Sequence, residues 1–209
     1  MKKILLPLFA LLVIGTLHAQ VNFSSVRIGD QVWMVRNLDI DQYRNGDPIP
    51  EVKDPLAWPN LTTGAWCYYD NDPANGKVYG KLYNWYAVID PRGLAPAGWH
   101  IPSDAEWTTV EKSLGGTSVA GGKMKEAGIL HWKTPNTGGD NSSGWVGLPG
   151  GQRSSIGYFN SVKEVGYWWT SSEGNTPLAL LHIMSYADGR SLGTVSDRHI
   201  GYSVRCVKD

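Results

Sequence analysis

Four histidines lie beyond the first twenty residues, at His100, His131, His182 and His199. An imidazole there could act as general base, metal ligand or hydrogen-bond partner. Their spacing contains no His-Glu-x-x-His run, the pattern that sets two imidazoles on one helix face around zinc. The hydroxyls of Ser154, Ser155, Ser171 and Ser172 are equally without context, because none sits in a strand-turn-helix Gly-x-Ser-x-Gly elbow. His100 stands just before a helix start and is expected to bond locally, whereas His182 falls in a strand pattern and is expected to be packed or half-buried. The oxygen-rich run from Asp70 to Gly76 has the composition of a calcium loop, but its glycine comes one place late and Lys81 stands where a bidentate glutamate is needed. It reads instead as a set of Asx turns. No catalytic residue, metal or cofactor is assigned.

The chemistry that remains is recognition. Sugar rings present C–H faces that stack on aromatic side chains, and the chain carries ten Trp and ten Tyr, more than one core requires. Trp132, followed by a Gly- and Asn-rich stretch to Gly144, and Tyr158 beside Arg153 are the expected exposed contacts. Positive charge at Lys2 and Lys3, an apolar run from Ile4 to Leu17 and His18-Ala19-Gln20 form a signal-peptide layout, with cleavage expected after Ala19. That places the mature chain in the periplasm or outside the cell, without a membrane span. The absence of a cysteine at the new N-terminus argues against a lipoprotein. The 19 basic residues balance 19 acidic ones, and loss of the leader removes two of the former, so no basic face for nucleic acid is implied. In an oxidising compartment an even count of cysteines usually pairs, and a Cys67–Cys206 bond would contribute about 4–5 kcal/mol by chain-entropy arguments. Two buried free thiols are the alternative.

These residues need a frame. Residues 26–35 predict a hairpin around Gly29-Asp30, and residues 45–75, rich in Pro, Asn, Asp and Gly, predict an ordered loop. Tyr79 to Val88 has the spacing of a short helix. Pro102-Ser103-Asp104-Ala105-Glu106-Trp107 carries a capping box, with Trp107, Val110 and Leu114 on one face and Gly115-Gly116 as the stop. A second helix over 119–127 is weakened by Gly121-Gly122. Beyond Gly128, strands are expected at 145–148, 167–171, 178–186, 191–195 and 202–207, with a tight turn at Ala187-Asp188-Gly189. Hairpin, loop, helices and an antiparallel set give one α+β domain over residues 20–209.

Five strings carry a resemblance: Ile28-Gly29-Asp30-Gln31-Val32-Trp33-Met34, residues 79–87, Gly98-Trp99-His100-Ile101-Pro102-Ser103-Asp104-Ala105-Glu106-Trp107, Tyr167-Trp168-Trp169-Thr170-Ser171-Ser172 and Ser203-Val204-Arg205-Cys206-Val207. In order and content they resemble the Fibrobacter succinogenes major paralogous domain, over nearly all of residues 26–209. More distantly, residues 101–107 and 201–205 resemble formylglycine-generating-enzyme-like domains, a branch of the C-type-lectin-like fold. The resemblance implies a small twisted antiparallel sheet whose first and last strands pair, with two helices beside it and long ordered loops. It places Trp33, Trp85, Trp99, Trp107 and Trp169 in core strings, and it implies a disulfide between the first-helix region and the last strand, where Cys67 and Cys206 stand. Copper-dependent oxidation would need two neighbouring cysteines near the C-terminus, and only Cys206 is there. In lectin-like folds Asp140-Asn141 could serve a calcium site, although the sugar-reading Glu-Pro-Asn and Gln-Pro-Asp motifs are absent. The implied function is a secreted, non-catalytic module binding a glycan or an extracellular protein through loops over 130–166, with Trp132, Asp140, Asn141, Arg153 and Tyr158 as ligand contacts. An envelope-assembly role and an enzyme with an unrecognised site are the other classes.

Overall fold

The hairpin forms where its turn residues require it. In the computed structural model, which describes residues 23–209, β1 (Ser25–Ile28) and β2 (Gln31–Met34) pair antiparallel from Ile28↔Gln31 to Ser25↔Met34. Gly29 takes the left-handed conformation that the two-residue turn needs, with φ 58°. The expected signal peptide lies outside the described residues. Among those described, no helix is long and apolar enough to cross a membrane.

After an irregular stretch come β3 (Trp66–Cys67), α1 (Pro73–Tyr79), β4 (Leu82–Tyr83) and α2 (Trp85–Val88). Two expectations need correcting here. The Pro-rich segment does not stay a loop, because Pro73 enters at a first-turn position that needs no N–H and the Asp72 side chain caps the Ala74 amide. The helix expected over 79–88 is divided, because Gly80 at φ 74°, ψ −162° ends α1 and Asn84 caps a separate single turn at α2.

β5 (Trp99–His100) leads into α3 (Asp104–Ser113), whose capping box is complete: Ser103 Oγ accepts from the Glu106 amide, and Glu106 Oε2 accepts from the Ser103 amide at 2.8 Å. Gly115 and Gly116, both at positive φ, turn the chain into α4 (Thr117–Met124). The Gly pair inside α4 is a packing requirement: a Cβ on Gly121 would strike the Arg190 carbonyl, and one on Gly122 the Gly138 carbonyl.

The C-terminal half contains β6 (Gly150–Arg153) paired with β7 (Phe159–Val162), then the meander of β8 (Val165–Glu173), β9 (Leu178–Ser185) and β10 (Leu192–Asp197), and finally β11 (Val207–Lys208). The β6–β7 hairpin was not foreseen, and the strand expected at 145–148 is a loop in which Val146 takes φ 57° and only Gly147 bridges to Lys125. The last strand inserts between the opening hairpin and β5, giving the order β1-β2-β11-β5, with Val207 opposite both Trp33 and His100. The meander forms a second sheet in the order β10-β9-β8, joined to the C-terminal segment through Trp168↔Ser203. Small antiparallel sheets with few helices give a mixed α+β architecture.

All ten tryptophans are buried. Trp33, Trp107, Trp145 and Trp168 meet mostly edge to face, with centroids 5.0 to 6.3 Å apart. This geometry satisfies the ring quadrupoles as well as burying apolar area. Trp85, Trp99 and Trp169 join a second cluster with Tyr83 and Val204, and Trp58 a third with Leu82 and Tyr69.

Candidate functional site

The residues expected to touch a ligand are dispersed, and two are inaccessible. Trp132 is buried in the tryptophan cluster, its Nε1 donating to the Gly147 carbonyl at 2.9 Å. Arg153 is fully buried between the Trp58 and Phe159 rings and donates to the carbonyls of Val52, Lys53 and Gly157. Both correct the expectation of exposed contacts: a loop dense in glycine let the Trp132 ring fold inward, and carbonyls compensate the Arg153 charge for its lost water. Asp140 and Asn141 shape their own turn. Asp140 Oδ1 accepts from the Ser142 amide, which holds its carboxyl below the ordinary value, and Asn141 Oδ1 accepts from the Val146 amide. Of the five, Tyr158 alone presents a large aromatic face, being 66 % exposed.

The cysteine pairing also needs correcting. Cys67 and Cys206 are free and buried, packed in different core clusters. Burial pushes each thiol up to about 12, so neither is a ready nucleophile.

Three histidines are engaged on both ring nitrogens, His199 by Asp197 Oδ1 at 2.7 Å and the Tyr86 hydroxyl at 3.4 Å. His182 is buried and stacked on Trp107 at 4.7 Å, with Glu111 Oε1 2.9 Å from Nδ1 and Asp104 Oδ1 3.0 Å from Nε2. Ser191 Oγ donates to the same Glu111 oxygen at 2.6 Å. His100 lies between Glu106 and Asp209, each at 2.7 Å. Burial opposes its charge, but the two carboxylate hydrogen bonds outweigh that and hold its pKa above the ordinary value. Each contact is a hydrogen bond only when that nitrogen carries the proton. Of the four carboxylate contacts of His182 and His100, three reach α3 and the fourth ties β5 to Asp209, and none leaves a ring nitrogen for a substrate.

An open groove lies elsewhere, where the chain after β2 passes α1 and the segment following α4. Its cavity of about 560 Å³ is lined by Ser24, Val35 to Asn37, Asp39, Gly76 to Val78, Gly80, Glu126, His131, Val146 and Leu148. A second hollow of about 350 Å³ shares Ser24, Arg36, Asn37 and Asp39 with it and continues to Phe23, Leu38 and Ile40. The Asn37 side chain fixes the floor: Nδ2 donates to the Tyr79 carbonyl and Ser203 Oγ, and Oδ1 accepts from Trp168 Nε1 and Arg205. His131 Nδ1 is 2.9 Å from Glu126 Oε1, with the Tyr79 ring edge-on to the imidazole. Asp39 accepts from Lys81 Nζ at 2.6 Å, and Lys81 lies over the Trp66 ring. Burial opposes the Lys81 charge, but the bonds to Asp39 and Tyr68 hold its pKa above the ordinary value.

Sequence reasoning missed this groove because its walls come from several segments scattered between Ser24 and Leu148, with no local spacing to mark them. The only chemical signal in the sequence was His131, which has no motif around it.

No curated protein and no solved structure matches the chain. The sequence strings that suggested a family do find their counterpart: the model of the Fibrobacter succinogenes major domain matches residues 26–208, from the opening hairpin to the last strand, and the chain belongs to that family.

Proposed function

We propose that the protein is a secreted, non-catalytic binding module on a C-type-lectin-like frame, with a short glycan as its ligand in the groove between β2, α1 and the segment after α4. The carrying observation is the cavity itself: about 560 Å³, within the usual range for small-ligand sites, with aliphatic walls at Val35, Val78 and Leu148 and polar groups between them. The lectin-like frame is supported by the pairing of the opening hairpin with the last strand and by α3 and α4. The reading differs from recognition by the 130–166 loops, since Trp132 and Arg153 are core residues.

A screen of the purified protein against plant, host and bacterial glycans tests this. Val78 lines the groove and is 39 % exposed, so Val78→Trp should fill the cavity and abolish a hit while leaving the melting temperature near that of the parent. A hit indifferent to Val78→Trp but lost on Tyr158→Ala would move the site to the β6–β7 hairpin. One observation favours a second reading: His131 oriented by Glu126 at the groove wall is an acid–base pair. Release of product from a bound glycan, lost on His131→Ala, would favour an enzyme.

A further inference from the structure

Each described carboxylate in the groove already has a side-chain partner. Asp39 is engaged by Lys81 at 2.6 Å, and Glu126 is paired with His131 at 2.9 Å. Arg36 and Lys77 line the same cavity, are exposed, and have no acidic partner among the described residues. With Asp39 answered by Lys81, Arg36 and Lys77 outnumber the one remaining carboxylate, Glu126, so the charge left for a ligand is positive. No tryptophan is available as a stacking platform, since all ten are buried. Beside the aliphatic walls, selectivity in this groove is left to charge and hydrogen bonding.

We infer that the ligand is an acidic saccharide, a short chain bearing uronate carboxylates, with a carboxylate held between Arg36 and Lys77 and hydroxyls facing Asp39 and the His131 edge. The inference rests on the groove being the binding site and adds the charge class of its occupant. The chemistry suits the residues: a guanidinium offers two parallel N–H donors to a carboxylate, and an ammonium adds a point charge without geometric demand. Their position at an exposed rim makes the attraction sensitive to screening, so binding should weaken as salt rises. Asp39 and Glu126 add selectivity, because each can accept a hydroxyl donor and disfavours a carboxylate placed against it.

The probes are oligogalacturonate and the neutral galactose oligomer of equal length, titrated by calorimetry into the purified protein, Val78→Trp, and the double variant Arg36→Gln with Lys77→Gln. Neither cation makes a side-chain hydrogen bond to the described fold, so the double variant should melt as the parent does. The expected result is binding of the acidic oligomer in preference to the neutral one. The double variant should reduce that binding by about tenfold or more, and the preference should shrink with added salt. Equal binding of both oligomers, unchanged in the double variant but lost in Val78→Trp, would overturn the charge assignment and leave the groove standing. Binding of neither oligomer would overturn both readings.

Discussion

At His182 a buried imidazole has a carboxylate oxygen within 3.0 Å of each ring nitrogen, and one of those carboxylates, Glu111, is itself 3 % exposed. A charge so placed is tolerable only while its partners remain. His182→Leu leaves the Glu111 carboxylate buried with Ser191 alone, and the expected loss is about 3–5 kcal/mol in denaturant unfolding. Adding Glu111→Leu should recover part of that loss, because the uncompensated charge goes with it. Full additivity of the two losses would contradict the pairing. His100 belongs to the same residue type but is 40 % exposed, so its effect is smaller and appears as a pH dependence. Its folded pKa stands above the ordinary value. Stability from this group is therefore complete below about pH 6.5, the unfolded value, and is lost as pH rises through the folded one. Glu106 acts in the opposite sense: burial raises its pKa, the bonds from His100 and Ser103 lower it further, and its share is lost as pH falls through the depressed value. Thermal melts over about pH 6 to 9 should show a decline for the parent protein and a flatter curve for His100→Gln. Superimposable curves would remove the proton from the account of α3 docking.

The elements were legible where a local device fixes them. Ser103 and Glu106 are three residues apart, so the start of α3 was readable from one turn of sequence, and Gly29-Asp30 announced the first hairpin in the same way. Misreadings occurred where position depends on distant neighbours. Val146 and Gly147 look like strand residues, but the segment is shaped by Asn141 and by the bridge to Lys125, a residue buried with its ammonium on the carbonyls of Thr137, Ser185 and Asp188. Gly121-Gly122 is the clearest example. By propensity alone the pair weakens a helix, and Gly121→Ala should stabilise α4 by up to about 1 kcal/mol. The backbone of Arg190 leaves no room for that methyl group. The substitution is therefore expected to lower the melting temperature, and a rise would mean that α4 does not pack against the turn after β9.

Across the whole molecule, the groove and the core explain why function was harder to read than fold. Eight of the ten indoles have side chains with almost no exposure, and three core clusters absorb what had looked like an aromatic surplus for binding. Composition shows how many tryptophans a chain has but not how many clusters they must fill. The free cysteines offer a measure of whether those clusters behave as one unit. Cys67 packs with Trp58, Ala65, Tyr69 and Leu82, while Cys206 packs in the cluster holding Trp85, Trp169 and Val204. Unreduced protein alkylated in denaturant should gain two adducts, and native protein should react only as fast as each cluster opens, because the buried thiols, pushed up to about 12, supply little thiolate. The two clusters are built on the same strand pair: β3 and β4 set Trp66 opposite Tyr83 in one cluster and Cys67 opposite Leu82 in the other. Opening one cluster therefore strips hydrogen bonds and apolar cover from the other, and Cys67 and Cys206 should label at equal rates that follow global unfolding. Faster labelling of Cys67 would reveal the Trp58 cluster as a separately opening unit, with Arg153 as its closure.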